Sequence, residues 1–284
     1  MKGPQFLKYV NPVLATLNEM GGAGITSEVM DLVIERMGIP DAEVEQTISS
    51  GQSRVRNRIQ WAKMYLSKAG YIDSSTRGTW KLTEKGFNAK LSEKDIQEMF
   101  KMVHSTFATK EIKNASKDRE GQEDEVSTED EDHTHVLLNI IHKLSPSGFE
   151  RLCKRLLTEC KFQNVQVTGR SGDDGIDGIG LLEMNDLVSF KVLFQCKRYK
   201  GSVGSPHVRD FRGAMQGRTD KGIIITTSYF TKDAKQEAIR EGAPPIELVD
   251  GEKLVELFEK YNLGLKPKVV YDVDFGFFEE FKGK

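Results

Sequence analysis

Apolar positions in the first hundred residues recur at helical spacing. Phe6, Tyr9, Val10, Val13, Leu14 and Leu17 form one such face, and Gly21-Gly22 ends the run. Val29, Leu32, Val33 and Met37 form a second, stopped by Gly38 and Pro40. Val55, Ile59, Ala62, Leu66 and Ala69 step by four, three, four and three, a helix stripe closed by Gly70. Tyr71-Ile72 and Thr79 to Leu82 then flank Ser75-Thr76-Arg77-Gly78, which predicts two strands and a turn. Helices, a long basic helix and a hairpin, in that order, describe a winged helix-turn-helix.

Beyond residue 136 the pattern alternates between helix and strand. Phe149, Leu152, Cys153, Leu156 and Leu157 predict a helix opened by Ser145-Pro146, a cap followed by a first-turn proline. Val165-Gln166-Val167 reads as a strand, and Leu187 to Cys196 as a longer one with Val188, Phe190, Val192, Phe194 and Cys196 on one face. Val208 to Met215 reads as a helix, and Gly222 to Thr227 as a strand buried on both faces. Thr231 to Glu241 is a helix, Ile246 to Val249 a strand, and Gly251 to Tyr261 a final helix. The class this predicts is an α/β sandwich around a mixed sheet, preceded by a winged helix-turn-helix domain.

Composition divides the chain. Its 284 residues suit two domains. Residues 115–132 carry nine acidic and two basic residues, with almost no aliphatic ones. That run predicts an acidic flexible linker over 101–135, between a winged-helix domain at 1–100 and an α/β domain at 136–284. His133 and His135 form an HxH within it, with no third fixed ligand. Without the acidic run the net charge of -2 becomes 39 basic against 34 acidic residues. Arg54 to Lys90 holds nine basic and two acidic residues, Lys191 to Lys221 eight and two, and Glu19 to Glu45 one and seven. Two basic stretches point to a polyanionic partner. No apolar run approaches 18 residues, which excludes a transmembrane helix, and the start lacks a signal-peptide core. Three cysteines without CxxC spacing favour neither a disulfide framework nor a zinc ribbon, so a reducing cytoplasm is expected.

The chemistry gathers in the second half. On the strand ending Gln195-Cys196-Lys197, alternation puts Gln195 and Lys197 on one side and Cys196, as a packed thiol, on the other. Upstream, Gly172-Asp173-Asp174-Gly175-Ile176-Asp177-Gly178 suits a tight turn presenting an acid at a strand start. An acid, a strand, then a polar residue two before a lysine is the layout of a metal-dependent nuclease. An aspartate is a hard oxygen ligand for Mg²⁺, and a lysine can orient water and offset transition-state charge. Singly, Asp177, Lys197 and Glu150 would pass for a turn acid, a surface lysine and a solvated helix residue.

Five segments taken in order resemble the catalytic domain of the Mrr family: Ser145 to Glu150, Gly172 to Gly178, Gln195 to Tyr199, Gly222 to Ser228 and Leu248 to Gly251. Those enzymes are methylation-directed type IV restriction endonucleases with a PD-(D/E)xK-type fold. Ile48-Ser49-Ser50-Gly51-Gln52 and Arg58 to Ala62 resemble the family's winged-helix domain, and Tyr271 to Phe281 its aromatic, acidic tail. The resemblance implies that Asp177 binds metal, that Gln195 is the Mrr form of a position usually Asp or Glu, and that Lys197 is the catalytic lysine. It implies Glu150 as a further metal-site acid. The metal would be Mg²⁺, with Mn²⁺ as the alternative. Asp174 stands where the family typically has glycine, leaving Asp173 or Asp174 as an extra acid.

On the basic helix, Arg56, Gln60, Lys63 and Ser67 share one face and Arg54, Arg58, Trp61, Tyr65 and Lys68 a flank, with Trp61 expected in the core. Arg and Gln can read base edges in the major groove and Lys can hold phosphate. Arg54, Arg58, Lys63 and, at the wing tip, Arg77 are the expected DNA contacts. The expected partner is methylated double-stranded DNA, with the chain at least a homodimer on DNA because two strands must be cut. A non-catalytic DNA-binding regulator on a nuclease scaffold, or a repair or junction nuclease, is the competing function.

Overall fold

The computed structural model describes residues 3–48, 51–73, 75–76, 78–111, 133–168, 175–219, 221–267 and 281. Arg77, Asp173, Asp174, the body of the acidic run and all of the aromatic tail but Phe281 lie outside the described residues.

The amino-terminal unit follows the predicted helices. A 3₁₀ turn, Gln5–Tyr9, runs into α1 (Val10–Glu19). Gly22 then turns the chain at φ 96°, where an added Cβ would strike the Phe87 ring at 2.3 Å. After β1 (Ala23–Ile25) come α2 (Thr26–Arg36), α3 (Asp41–Val44), α4 (Arg54–Lys68), β2 (Ile72–Asp73), β3 (Thr79–Leu82) and α5 (Glu93–Glu111). Ser53 caps α4, its side chain accepting from the Arg56 amide. The predicted hairpin is β2–β3, and β1 joins it on the far side of β3, with Ala23 opposite Lys81. The predicted apolar faces converge: Tyr9, Leu14, Leu17, Val33, Ile59 and Leu66 share one core. Trp61 packs at its edge, 6.3 Å from Phe6 between ring centroids.

The second unit opens with α6 (His133–Lys143) and α7 (Pro146–Glu159), the latter capped by Ser145 as predicted. There follow β4 (Phe162–Val167), β5 (Gly178–Asn185), β6 (Val188–Lys197), α8 (Ser205–Met215), β7 (Lys221–Thr226), α9 (Lys232–Ala238), β8 (Ile246–Val249) and α10 (Gly251–Lys260). The sheet runs β4-β5-β6-β7-β8. Its first three strands are antiparallel, and β6, β7 and β8 are parallel. One face packs Phe194, Ile225 and Val249 against α6, α7 and α10. The other packs Leu193, Ile224 and Ile246 against α8 and α9.

Three expectations are corrected. The predicted linker over 101–135 is helical at both margins, because α5 continues to Glu111 and α6 begins at His133. Val103 is buried in the first core and Leu137 and Leu138 in the second, so apolar burial carries both helices into the charged region. His133 meets Glu259 of α10 through Nε2. Leu187, predicted to begin β6, sits at the β5–β6 turn with 94% exposure, where Asn185 accepts from the Leu187 and Val188 amides.

Candidate active site

Strand β6 crosses the middle of the sheet, and its carboxyl end carries the candidate chemistry. Asp177 immediately precedes β5. Gly178 allows this placement, because a Cβ there would lie 2.3 Å from both the Gln166 carbonyl oxygen and the Phe194 ring. The Asp177 amide donates to the Phe194 carbonyl at 3.0 Å, and Asp177 Oδ2 accepts from the Cys196 amide at 2.6 Å. The acid is thereby fixed beside Gln195 and Lys197. Burial pushes the Asp177 carboxyl above its ordinary range, opposed by the Cys196 amide and the Lys197 charge.

Glu150 reaches the same place from α7. Its carboxyl is also raised, first by burial and then by the neighbouring Asp177 charge. A carboxylate whose ionisation a second one disfavours is suited to a cation between the two.

Gln195 completes the group at 7% exposure. Its Nε2 donates to the Gly175 carbonyl, which aims the amide oxygen the other way. Oε1 has no hydrogen-bond partner among the described residues. Gly175 stands at φ 81°, and a Cβ there would fall 2.4 Å from Gln195 Nε2. The turn and the strand therefore fit only through a glycine. A buried, unpaired amide oxygen beside two carboxylates is a hard-oxygen donor set. It fits a divalent cation that keeps several waters. No three His, Cys, Asp or Glu side chains converge as a metal cage among the described residues, so the glutamine oxygen is integral to the fit.

Lys197 lies on the same side of β6, its Nζ 5.2 Å from the Tyr199 ring centroid. Tyr199 in turn meets His207 edge-on at 5.4 Å. The Lys197 carbonyl accepts from Thr226 Oγ1 at 2.7 Å, and the Tyr199 carbonyl from Thr227 Oγ1 at 3.0 Å. The lysine is thus held at its backbone by the end of β7 and at its side chain by an aromatic face. Tyr199, Thr226 and Thr227 escaped the sequence reading. The alternation that paired Gln195 with Lys197 reaches Tyr199 one step later, but nothing local marks the threonines. Cys196 packs against the α6–α7–α10 side, and its thiol is raised well above normal by the adjoining Cys153 thiol and by burial, in keeping with a core role.

The structure brings Asp177, Glu150, Gln195 and Lys197 together, and places the expected DNA contacts elsewhere, on α4. Arg54 Nη1 lies 3.5 Å from Gln46 Oε1. Arg58 bears on the Tyr9 hydroxyl, which burial raises and the guanidinium pulls back. Lys63 sits 6.0 Å over the Trp80 ring.

Two family models match the chain. One, described as restriction endonuclease, covers residues 141–258, and the other, the Mrr N-terminal domain, covers residues 6–92. The type IV methyl-directed restriction enzyme EcoKMrr of Escherichia coli (strain K12) is 29% identical over 309 aligned positions, covering 98% of this chain and 100% of the relative. Among solved structures, the DNA modification-dependent restriction endonuclease AspBHI aligns at 18% identity and a TM-score of 0.42, over 66% of this chain and 53% of that one. The MspJI restriction endonuclease in complex with a 27-mer oligonucleotide aligns at 20% and 0.37, over 63% and 47%. This chain spans about half the length of those two. With one model on each unit and the candidate site inside the second, this chain belongs to the Mrr family of restriction endonucleases.

Proposed function

We propose that the chain hydrolyses phosphodiester bonds of modified, chiefly methylated, double-stranded DNA with the help of Mg²⁺ or Mn²⁺. The observation that carries this reading is that Glu150 and Lys197 both bear on Asp177 at the end of β6, where the neighbouring Gln195 Oε1 is buried without a partner among the described residues. A scaffold retained only for binding has no need to keep a buried polar oxygen without a partner.

In the mechanism, Asp177, Glu150 and Gln195 Oε1 would hold the metal, which would supply Lewis acidity toward the scissile phosphate. The Cys196 amide fixes which Asp177 oxygen faces inward. The Lys197 ammonium orients the water and offsets the charge that grows on the phosphoryl oxygens as the P–O bond to the leaving sugar oxygen breaks. The Tyr199 face restrains the lysine side chain, so less orientation is lost at the moment of reaction.

The family resemblance supplies the preference for methylated DNA, and α4 supplies the arginines and glutamine suited to base edges. A homodimer on DNA would provide the two scissions that a duplex requires. No helix among the described residues is long and apolar enough to cross a membrane, and the three free thiols fit a reducing cytoplasm. The test is incubation of the protein and Mg²⁺ with matched methylated and plain plasmids. Linearisation of the methylated plasmid alone, stopped by EDTA, is expected. Equal cutting of both would remove the modification dependence, and undiminished cutting in EDTA would remove the metal.

A further inference from the structure

The face of α4 suited to reading bases is not free. At its amino-terminal end Arg56 is buried, with a side-chain exposure of 8%. Asp31 of α2 takes one side of its guanidinium. The other side meets the nuclease unit: Glu252, in the first turn of α10, lies 3.8 Å from Arg56 Nη1. The Tyr229 ring lies 5.0 Å from the guanidinium carbon. Burial works against charge on both partners, pushing the Glu252 carboxyl up, while Glu252 and Asp31 hold the guanidinium charged.

The contact extends well beyond one pair. The Tyr229 hydroxyl donates to the Val44 carbonyl at 3.0 Å, and Ser202 Oγ donates to Glu45 Oε1 at 3.3 Å. Lys232 pairs with Glu35 at 3.1 Å, and Lys235 pairs with Asp31. Asp31 and Glu35 of the acidic stretch thus face lysines of the nuclease unit. A half-open cleft of only about 30 Å³ lies at the joint, lined in part by Arg56, Gln60, Thr227 and Glu252. That is room for about one water, too little for a nucleotide. The nuclease loops involved follow β7 and β8 at the sheet end where Lys197 closes β6.

From this geometry we infer that the carboxyl end of the nuclease sheet is a docking surface for the chain's own DNA-reading helix, with Glu252 occupying Arg56 in place of DNA. Reading of a duplex through this face of α4 then requires the two units to part, and the affinity measured for DNA is the intrinsic affinity reduced by the fraction that is parted. The inference rests on the DNA-reading role of α4 proposed above.

The test uses the full chain. The double variant Glu45→Cys with Ser202→Cys places two thiols across the joint, to be bridged by a short bis-methanethiosulfonate reagent that reductant removes. Wild type treated in parallel controls for its own thiols. The bridged protein is expected to bind methylated duplex at least about tenfold more weakly than the same protein after reduction. In a second arm, Glu252→Gln and Glu252→Ala are expected to tighten binding by up to about tenfold. Equal binding by the bridged and reduced protein would overturn the inference, whatever the Glu252 variants do. Absence of binding by wild type in any form would remove the DNA-reading role along with it, so the two failures are distinct.

Discussion

At the scale of single residues, the proposed roles make separate demands on each side chain. Asp177→Ala and Lys197→Ala should each lower the cleavage rate by about 10²–10⁴-fold while folding and DNA binding persist. A folded variant cutting at the wild-type rate would take its residue out of the mechanism. Gln195→Glu is the sharper probe. It replaces a donor facing the Gly175 carbonyl with an oxygen, at about 1–3 kcal/mol for the unsatisfied group. It also sets a third negative charge beside Asp177 and Glu150. Thermal melts should therefore show Tm several degrees below wild type without metal, and recovery on adding Mg²⁺. A variant more stable than wild type in EDTA would mean that Oε1 does not face a cation. The placement of Asp177 beside the end of β6, where Gln195 and Lys197 stand, was legible in the sequence because strand alternation and a glycine-rich turn are local patterns. The orientation of the Gln195 amide was not, since it is set by a carbonyl 20 residues away.

At the scale of elements, burial decided what the sequence could reveal. Strand β7, with three consecutive isoleucines, and α7, with a serine cap and a first-turn proline, declare themselves in a few residues. Strand β1 does not: it has three residues, none buried, and exists only through pairing with β3. The margins of α5 and α6 were hidden by the acidic run next to them. The stripe on α4 was plain from its spacing, but that pattern says only which side faces its own core. It cannot say what covers the other sides. Replacing Arg54, Arg58 and Lys63 together should weaken DNA binding and flatten its salt dependence by about 0.9 in log–log slope for each phosphate contact removed. Titrations at several salt concentrations measure that slope, and an unchanged slope would place the phosphate contacts outside α4.

At the scale of the whole molecule, the joint brings a further titrating group into play. His142, at the end of α6, is buried with no partner for Nε2 among the described residues, and Gly51 of the winged unit lies against it. Burial, with Lys200 and Arg198 nearby, holds its pKa below the ordinary histidine range. The folded protein therefore binds this proton less readily than the unfolded chain. Stability from the neutral ring is fully present above the ordinary pKa and is lost as pH falls from there through the lowered one. Melts of wild type and His142→Gln should accordingly diverge as pH falls below about 6.5, with wild type losing more. His207, also lowered, is common to both proteins and cancels in the comparison. Parallel melting curves would mean that His142 accepts its proton without penalty. The docking of one unit on the other has a further consequence, because both belong to one chain. Its equilibrium is unimolecular and contains no concentration factor. Raising the number of copies in a cell raises the number of uncovered helices but not their proportion. Pairing of two chains on a duplex, by contrast, rises with the square of abundance. A host could then vary the amount of this enzyme severalfold and leave the guarded fraction untouched, so that only the pairing of chains on DNA responds to abundance.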